Sequence, residues 1–143
     1  NLAGVKFTYE DLMDFQECLA YENGRYDLLF GRDEILLAGL VLGARGGVGS
    51  TYNYAAPLYR RLIEAFGRGD LAAARRLQLQ SVRLIRYIAG SGLPFLPAAK
   101  AIMDRIGVNC GPARAPLARL SASQARPFLE GLEGLGFLDY ACR

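Results

Sequence analysis

A strand-like run followed by a helix-like run recurs three times in residues 1 to 69, and this alternation limits the fold more than any other feature of the chain. Residues 3 to 7, AGVKF, are short and apolar and predict a buried strand. They are followed by TYEDLMDFQECLAY, in which Leu12, Phe15, Cys18 and Leu19 recur at helical spacing. RYDLLF, residues 25 to 30, predicts a second strand. Gly31, Arg32, Asp33 and Glu34 then lead into ILLAGLVLG, a helix with Asp33 as its expected N-cap and Gly43 as its stop. This helix is apolar nearly all round, which predicts burial on two sides and leaves a subunit contact as one way to cover the second. RGGVGS, residues 45 to 50, predicts a third, glycine-thinned strand, with a helix after it from about Pro57 to Phe66. Units of ~20 to 25 residues of this kind imply parallel strands joined by right-handed crossovers. Three such strands cannot close on themselves. They are a slice of a (β/α)8 barrel or a small open sheet, and an isolated slice leaves two exposed edges.

No strand signal follows. Asp70 is the expected cap of a long helix in which Ala74, Leu77, Ser81, Leu84, Ile85 and Ile88 form one stripe, while Arg75, Arg76, Arg83 and Arg86 lie mostly off it. Gly90 and Gly92 stop that helix. A second follows Pro97 through Ile102, Met103 and Ile106. NCGPARAPL, residues 109 to 117, is a proline-broken connection, and Ser121 to Leu135 is a third helix opened by Ser121 or Ser123.

The 143 residues suit one domain, and a hydrophobic content of 52% is enough for a sizeable core. The net charge of +3 is spread out, with no basic block, so nucleic acid is not an expected partner. No apolar run reaches the ~18 to 20 residues needed to span a bilayer, so no membrane is expected either, and a cytoplasmic location is. Cys18, Cys110 and Cys142 are odd in number and far apart, which argues against a disulfide framework and a zinc cluster. Histidine is absent. Nucleophile systems built on it, and most transition-metal sites, are thereby excluded, leaving Lys, Tyr, Ser, Asp and Glu for any chemistry. Asn1 is followed almost at once by a strand, which suggests that the chain is part of a longer one.

Parallel α/β folds carry their reactive groups at the C-terminal ends of strands. Three sets of residues fall there: Lys6; Gly31 with Asp33 and Glu34; and Gly49, Ser50, Thr51, Tyr52 and Asn53. Of 17 basic residues only Lys6 and Lys100 are lysine. A lysine in an apolar run of a chain that otherwise uses arginine is a candidate amine nucleophile, because partial desolvation favours the free amine. A lysine that snorkels from the strand end to water is the commoner case. Asp33 and Glu34 are more often a cap and a first-turn acid than a site, and Ser50 with Thr51 a polar strand end.

GVKFTYEDLMDF, LLFGRDEILLAGLVLGARGGVGSTYNY and AAKAIMDRIGV closely resemble the C-terminal half of the N-acetylneuraminate lyases, the sialic acid aldolases of the dihydrodipicolinate synthase superfamily. The resemblance runs from Ala3 to about Gly111, and its Gly-Ser-Thr-Tyr-Asn and Gly-x-Asp-Glu motifs are specific to the lyase branch. It implies the C-terminal portion of a (β/α)8 TIM barrel: residues 1 to 69 supply strands 6 to 8 with their helices, and residues 70 to 143 add three helices to the same domain. It further implies a homotetramer when complete and a class I aldolase, with no cofactor and no metal, that cleaves N-acetylneuraminate to N-acetylmannosamine and pyruvate. Lys6 matches the Schiff-base lysine, and Gly31, Asp33, Glu34 and Ser50 match groups that bind the sugar's hydroxyl chain. The family's first five strands have no counterpart here, so the chain is expected to hold part of an active site and to be inactive alone. A related pyruvate-dependent aldolase and a non-catalytic half-barrel are the rival readings.

Overall fold

The computed structural model describes residues 1 to 142. Strand β1 (Gly4–Phe7) and strand β2 (Asp27–Phe30) pair in parallel, with Gly4 opposite Asp27 and Phe7 opposite Phe30. Helix α1 (Leu12–Ala20) joins them, and its N-cap Asp11 accepts from the amides of Met13 and Asp14. The third predicted strand lies beside β2 in the expected parallel sense but is reduced to one bridge, Phe30 to Gly47. The Phe30 amide donates to the Gly46 carbonyl and the Val48 amide to the Phe30 carbonyl, each at 2.9 Å. Glycines at 46, 47 and 49 explain the reduction, since a strand without side chains has little to pack. A Cβ on Gly47 would stand 2.6 Å from the Tyr52 hydroxyl, so the close approach needs glycine there.

One face of the sheet is covered by helices. Phe7 and Phe15 have ring centroids 5.1 Å apart, and Phe15 meets Phe30 edge-on at 4.9 Å. Helix α2 (Leu36–Leu42) lies directly on Phe30: a Cβ on Gly39 would come within 2.6 Å of that ring. Gly43 ends α2 with φ of 110°, as its place in the sequence predicts. The α2 helix buries Leu36, Gly39 and Leu40 but leaves Val41 62% exposed, so within this chain it is buried on one side.

Helices α3 (Tyr52–Gly67) and α4 (Leu71–Gly90) form the most extensive contact. Leu58 and Leu62 of α3 and Ala74 and Leu84 of α4 are wholly buried between them. Each such leucine contributes about 1.5 to 3 kcal/mol relative to an exposed one. Helices α5 (Phe95–Arg105) and α6 (Ala122–Gly134) add Ala98, Ile102, Phe128 and Leu132 to the same core. Asp70 caps α4 by accepting from the Ala73 amide at 2.9 Å, and Ser121 opens α6 in a capping box with Gln124.

Several boundaries differ from expectation. Helix α3 begins at Tyr52, five residues before Pro57, because the Thr51 carbonyl already accepts from the amides of Tyr54 and Ala55 at 3.2 and 2.9 Å. Pro57 then sits inside the helix, where its missing N–H accompanies a non-helical Ala55 at φ −132°. Helix α5 starts two residues before Pro97, which occupies its first turn, where amides have no intrahelical partner. Asp33 is not the cap of α2. It opens a 3-10 turn, Asp33–Ile35, and its carboxyl turns into the core. The Gln78 side chain of α4 takes over, accepting from the Leu37 amide at 2.8 Å. Strand β1 is not buried either: Val5 is 47% exposed and Lys6 is exposed, because β1 pairs with β2 along one edge and the face carrying Lys6 has no covering layer among the described residues.

Candidate functional site

Gly31 joins the ends of β1 and β2. Its amide donates to the Phe7 carbonyl at 2.7 Å, continuing the ladder one residue beyond the strands. A Cβ there would stand 2.1 Å from Thr8 Oγ1 and 2.9 Å from Lys6 Cε, so only glycine lets the loop after β2 close on the side chains at the end of β1. Thr8 follows Lys6 by two residues and therefore shares its face of the strand.

The loop continues into Arg32, Asp33 and Glu34. Arg32 pairs with Glu34 at 3.2 Å and with Glu10, holding the Glu34 carboxylate beside the opening. Asp33 is 4% exposed. Its Oδ2 accepts from the Thr51 amide at 3.1 Å and lies 2.5 Å from Thr51 Oγ1, while Oδ1 has no partner among the described residues. Burial pushes its carboxyl above the ordinary value; the two Thr51 contacts and Lys6 oppose the rise, and Glu34 adds to it. A Cβ on Gly49 would overlap Asp33 Oδ1, so the loop after the third segment passes the carboxyl only as glycine.

Gly31, Asp33, Glu34 and Ser50 line one cavity of about 230 Å³ together with Thr8, Arg32 and Thr51. Ile85, Ile88 and Ala89 of α4 and Phe95 of α5 form its apolar wall. The four residues singled out for substrate binding are thus brought together. Lys6 does not line this cavity, but its side chain lies against Gly31, which does. Lys100 is elsewhere, donating to the Cys110 carbonyl at 2.7 Å.

Burial raises the phenols of Tyr52 and Tyr54, and pushes that of Tyr59 up to about 12, so all three are neutral near pH 7. They offer protons to hydrogen bonds and are not bases. Among the described residues no group of three or more Cys, Asp or Glu is arranged to hold a metal, and no helix is long and apolar enough to cross a membrane. A wider groove of about 960 Å³ runs along the outside between α1 and α2, lined by Leu12, Met13, Leu37, Val41 and Leu42, and it assembles no reactive set.

Thr8, Tyr59 and Ser81 were not singled out by sequence as site residues, and Thr51 was singled out only within the run from Gly49 to Asn53. Thr8 carries a signal, its i+2 spacing from Lys6. Ser81 carries one too, as the lone hydroxyl in the apolar stripe of α4.

The model of the dihydrodipicolinate synthetase family matches residues 1 to 133. The rat N-acetylneuraminate lyase is 40% identical over 142 residues, covering 98% of this chain and 44% of the rat protein. The human lyase is 38% identical over 141 residues. Among solved structures, the N-acetylneuraminate lyase of Proteus mirabilis superposes with a TM-score of 0.87 at 42% identity, covering 96% of this chain and 46% of that one. The lyase of Aliivibrio salmonicida gives 0.89 at 39% identity, covering 99% and 47%. The chain therefore spans less than half the length of the relatives it matches, and its α/β fold is part of a TIM barrel. With its resemblance to the lyases borne out along nearly its whole length, the chain belongs to the dihydrodipicolinate synthetase family.

Proposed function

We propose that this chain supplies strands 6 to 8 and the C-terminal helices of a class I aldolase that cleaves N-acetylneuraminate to N-acetylmannosamine and pyruvate. The observation that carries the reading is the glycine-gated contact of Lys6 with the loop holding Asp33 and Glu34, beside the cavity that Ser50 also lines. The Lys6 amine attacks the ketone carbon of the open-chain sugar, and loss of water leaves a protonated imine. Removal of the C4 hydroxyl proton breaks the C3–C4 bond, and the electron pair enters the imine as an enamine. Protonation of the enamine carbon and hydrolysis release pyruvate and return the amine. The residue that moves the C4 proton and the groups that grip the carboxylate belong to the strands this chain does not contain.

Glu34, half-buried at the opening, and Ser50, exposed on its other side, are suited to the hydroxyl tail of the sugar. Asp33 lines the same cavity. Gly31 admits the close backbone approach. Borohydride reduction in the presence of pyruvate should trap one adduct at Lys6 of the full-length enzyme; an adduct at Lys100 in its place would reject the assignment. Glu34→Gln should lower kcat/KM for N-acetylneuraminate about 10- to 100-fold, the loss of one charged hydrogen bond, while trapping with pyruvate stays near wild type.

A second reading is favoured by the putative dihydrodipicolinate synthase of Thermus thermophilus, which superposes with a TM-score of 0.81 at 30% identity. A pyruvate-dependent aldolase with another sugar acid would trap pyruvate equally and fail to turn over N-acetylneuraminate. A non-catalytic half-barrel would trap nothing. The family reading also brings a homotetramer when complete, which light scattering tests; the cytoplasmic location expected from the sequence is tested by cell fractionation.

A further inference from the structure

Four buried contacts join the two site loops to helices α3 and α4 in a closed ring. Asp33 Oδ2 lies 2.5 Å from Thr51 Oγ1, Thr51 Oγ1 lies 2.6 Å from the Tyr59 hydroxyl, that hydroxyl lies 3.0 Å from Ser81 Oγ, and Ser81 Oγ lies 3.0 Å from the Asp33 carbonyl. Asp33, Thr51, Tyr59 and Ser81 are 4, 3, 2 and 0% exposed. Each hydroxyl owns one proton to donate, so Thr51, Tyr59 and Ser81 bring three protons to four contacts. The carbonyl of Asp33 has none, which assigns the proton in that contact to Ser81. Tyr59 must then donate to Ser81 and Thr51 to Tyr59, and nothing remains to bridge Thr51 and the carboxyl unless the carboxyl itself carries the fourth.

We propose that Tyr59 and Ser81 are positioning residues of the site, which with Thr51 and a protonated Asp33 close a head-to-tail hydrogen-bonded ring that fixes the loops bearing Glu34 and Ser50 onto α4. The donor sequence runs from Asp33 Oδ2 to Thr51, from Thr51 to Tyr59, from Tyr59 to Ser81 and from Ser81 back to the Asp33 carbonyl. Bonds so aligned polarise one another in the same direction. The Thr51 amide still reaches a lone pair of Oδ2. Gln78, donating to the Asp33 carbonyl at 3.1 Å, makes a second tie from α4 to the same turn. Charged and titratable groups facing Asp33 are Glu34 on its own turn, Lys6 on β1, and Tyr52, Tyr54 and Tyr59 on α3. Glu34 favours the neutral acid and Lys6 the ion. Burial outweighs both, in the direction the ring needs.

The ring is independent of the reaction; its consequence for the sugar rests on the function proposed above. The test is isotope-edited infrared spectroscopy of the full-length polypeptide labelled at aspartate carboxyls, with Asp33→Asn subtracted to isolate the Asp33 band. In the wild type the protonated-acid band should persist above the ordinary carboxyl value of 3.8. Tyr59→Phe frees the Thr51 proton to bond the carboxylate, so the midpoint should fall, by about one pH unit for one hydrogen bond. Ser81→Ala should lower it for the same reason. Thr51→Val removes both the acceptor of the acid's proton and the one hydroxyl that can donate to the ionised carboxylate; the bond to the charged form is worth more, so there the midpoint should rise. General loosening of the core would move all three variants in one direction, and that result overturns the proposal. A wild-type Asp33 that is ionised below 3.8 overturns it as well.

Discussion

The sheet and the helical pair α3 and α4 hold the site on opposite terms. Strands β1 and β2 are four residues each, paired along one edge, and carry Lys6 on an open face. The helices close around Leu58, Leu62 and Leu84 with no exposure at all, and they reach the site through Ser81, Gln78 and Tyr59. The amine proposed to react is thus carried by the least enclosed part of the chain, while the loops around it are set by the most enclosed. Such a division suits a group that must meet a substrate, because the amine needs access and its neighbours need fixed positions.

Truncation separates the two regions most strongly. Leu62→Ala should cost about 2 to 5 kcal/mol of unfolding free energy, whereas Val5→Ala, at a site already 47% exposed, should stay within about 0.5 kcal/mol. Urea unfolding followed by circular dichroism measures both. Equal losses would mean that the strands are as much a part of the core as the helices.

The junction between the regions comes next. Gly49→Ala puts a methyl group onto Asp33 Oδ1, and the contact is so close that the loop or the carboxyl must move. A loss of about 1 to 3 kcal/mol is expected, as for other overpacked positions. An unchanged midpoint would show that the loop yields freely and that the polar ring does not fix it.

Local punctuation made most of the fold legible from sequence. The Asp70 and Ser121 caps and the Gly43 stop are decided within one turn of helix, and the structure has all of them. What sequence misplaced was decided across the chain. Asp33 has the local form of an N-cap, yet Thr51, 18 residues later, recruits its carboxyl and Gln78, 41 residues after Leu37, supplies the cap. The run AGVKF has the composition of a buried strand, but burial depends on what lies over it, and Lys6 is open. Of the site, Gly31, Asp33, Glu34 and Ser50 were readable because they follow strands. Tyr59 and Ser81 act from helices, where a polar residue in an apolar stripe is the single clue.

Acidity gives a smaller, signed difference. Burial raises the Asp33 carboxyl above 3.8, so the folded chain keeps a proton that the unfolded chain releases. This contribution to stability is complete below pH 3.8 and is lost as the pH rises through the raised value. Asp33→Asn has no proton to lose and should flatten the fall of Tm with pH over that window. A wild-type Tm that instead climbs steadily from pH 3.8 to neutrality, with the climb abolished by Asp33→Asn, would give Asp33 the opposite sign.

The smallest effect on the fold is expected where the effect on chemistry is total. Lys6→Arg keeps a cation of similar length on an exposed strand face, with no hydrogen bond or ion pair among the described residues to lose, so unfolding free energy should change by less than about 0.5 kcal/mol. A guanidinium does not give up its proton to become a nucleophile. Borohydride trapping with pyruvate and turnover of N-acetylneuraminate should both vanish in the full-length enzyme carrying this change. The Lys6 side chain lies against Gly31. If Lys6→Arg instead lowered stability as much as Gly49→Ala does, Lys6 would be a packing residue, and the contrast between an accessible amine and the fixed loops around it would fail at its central point.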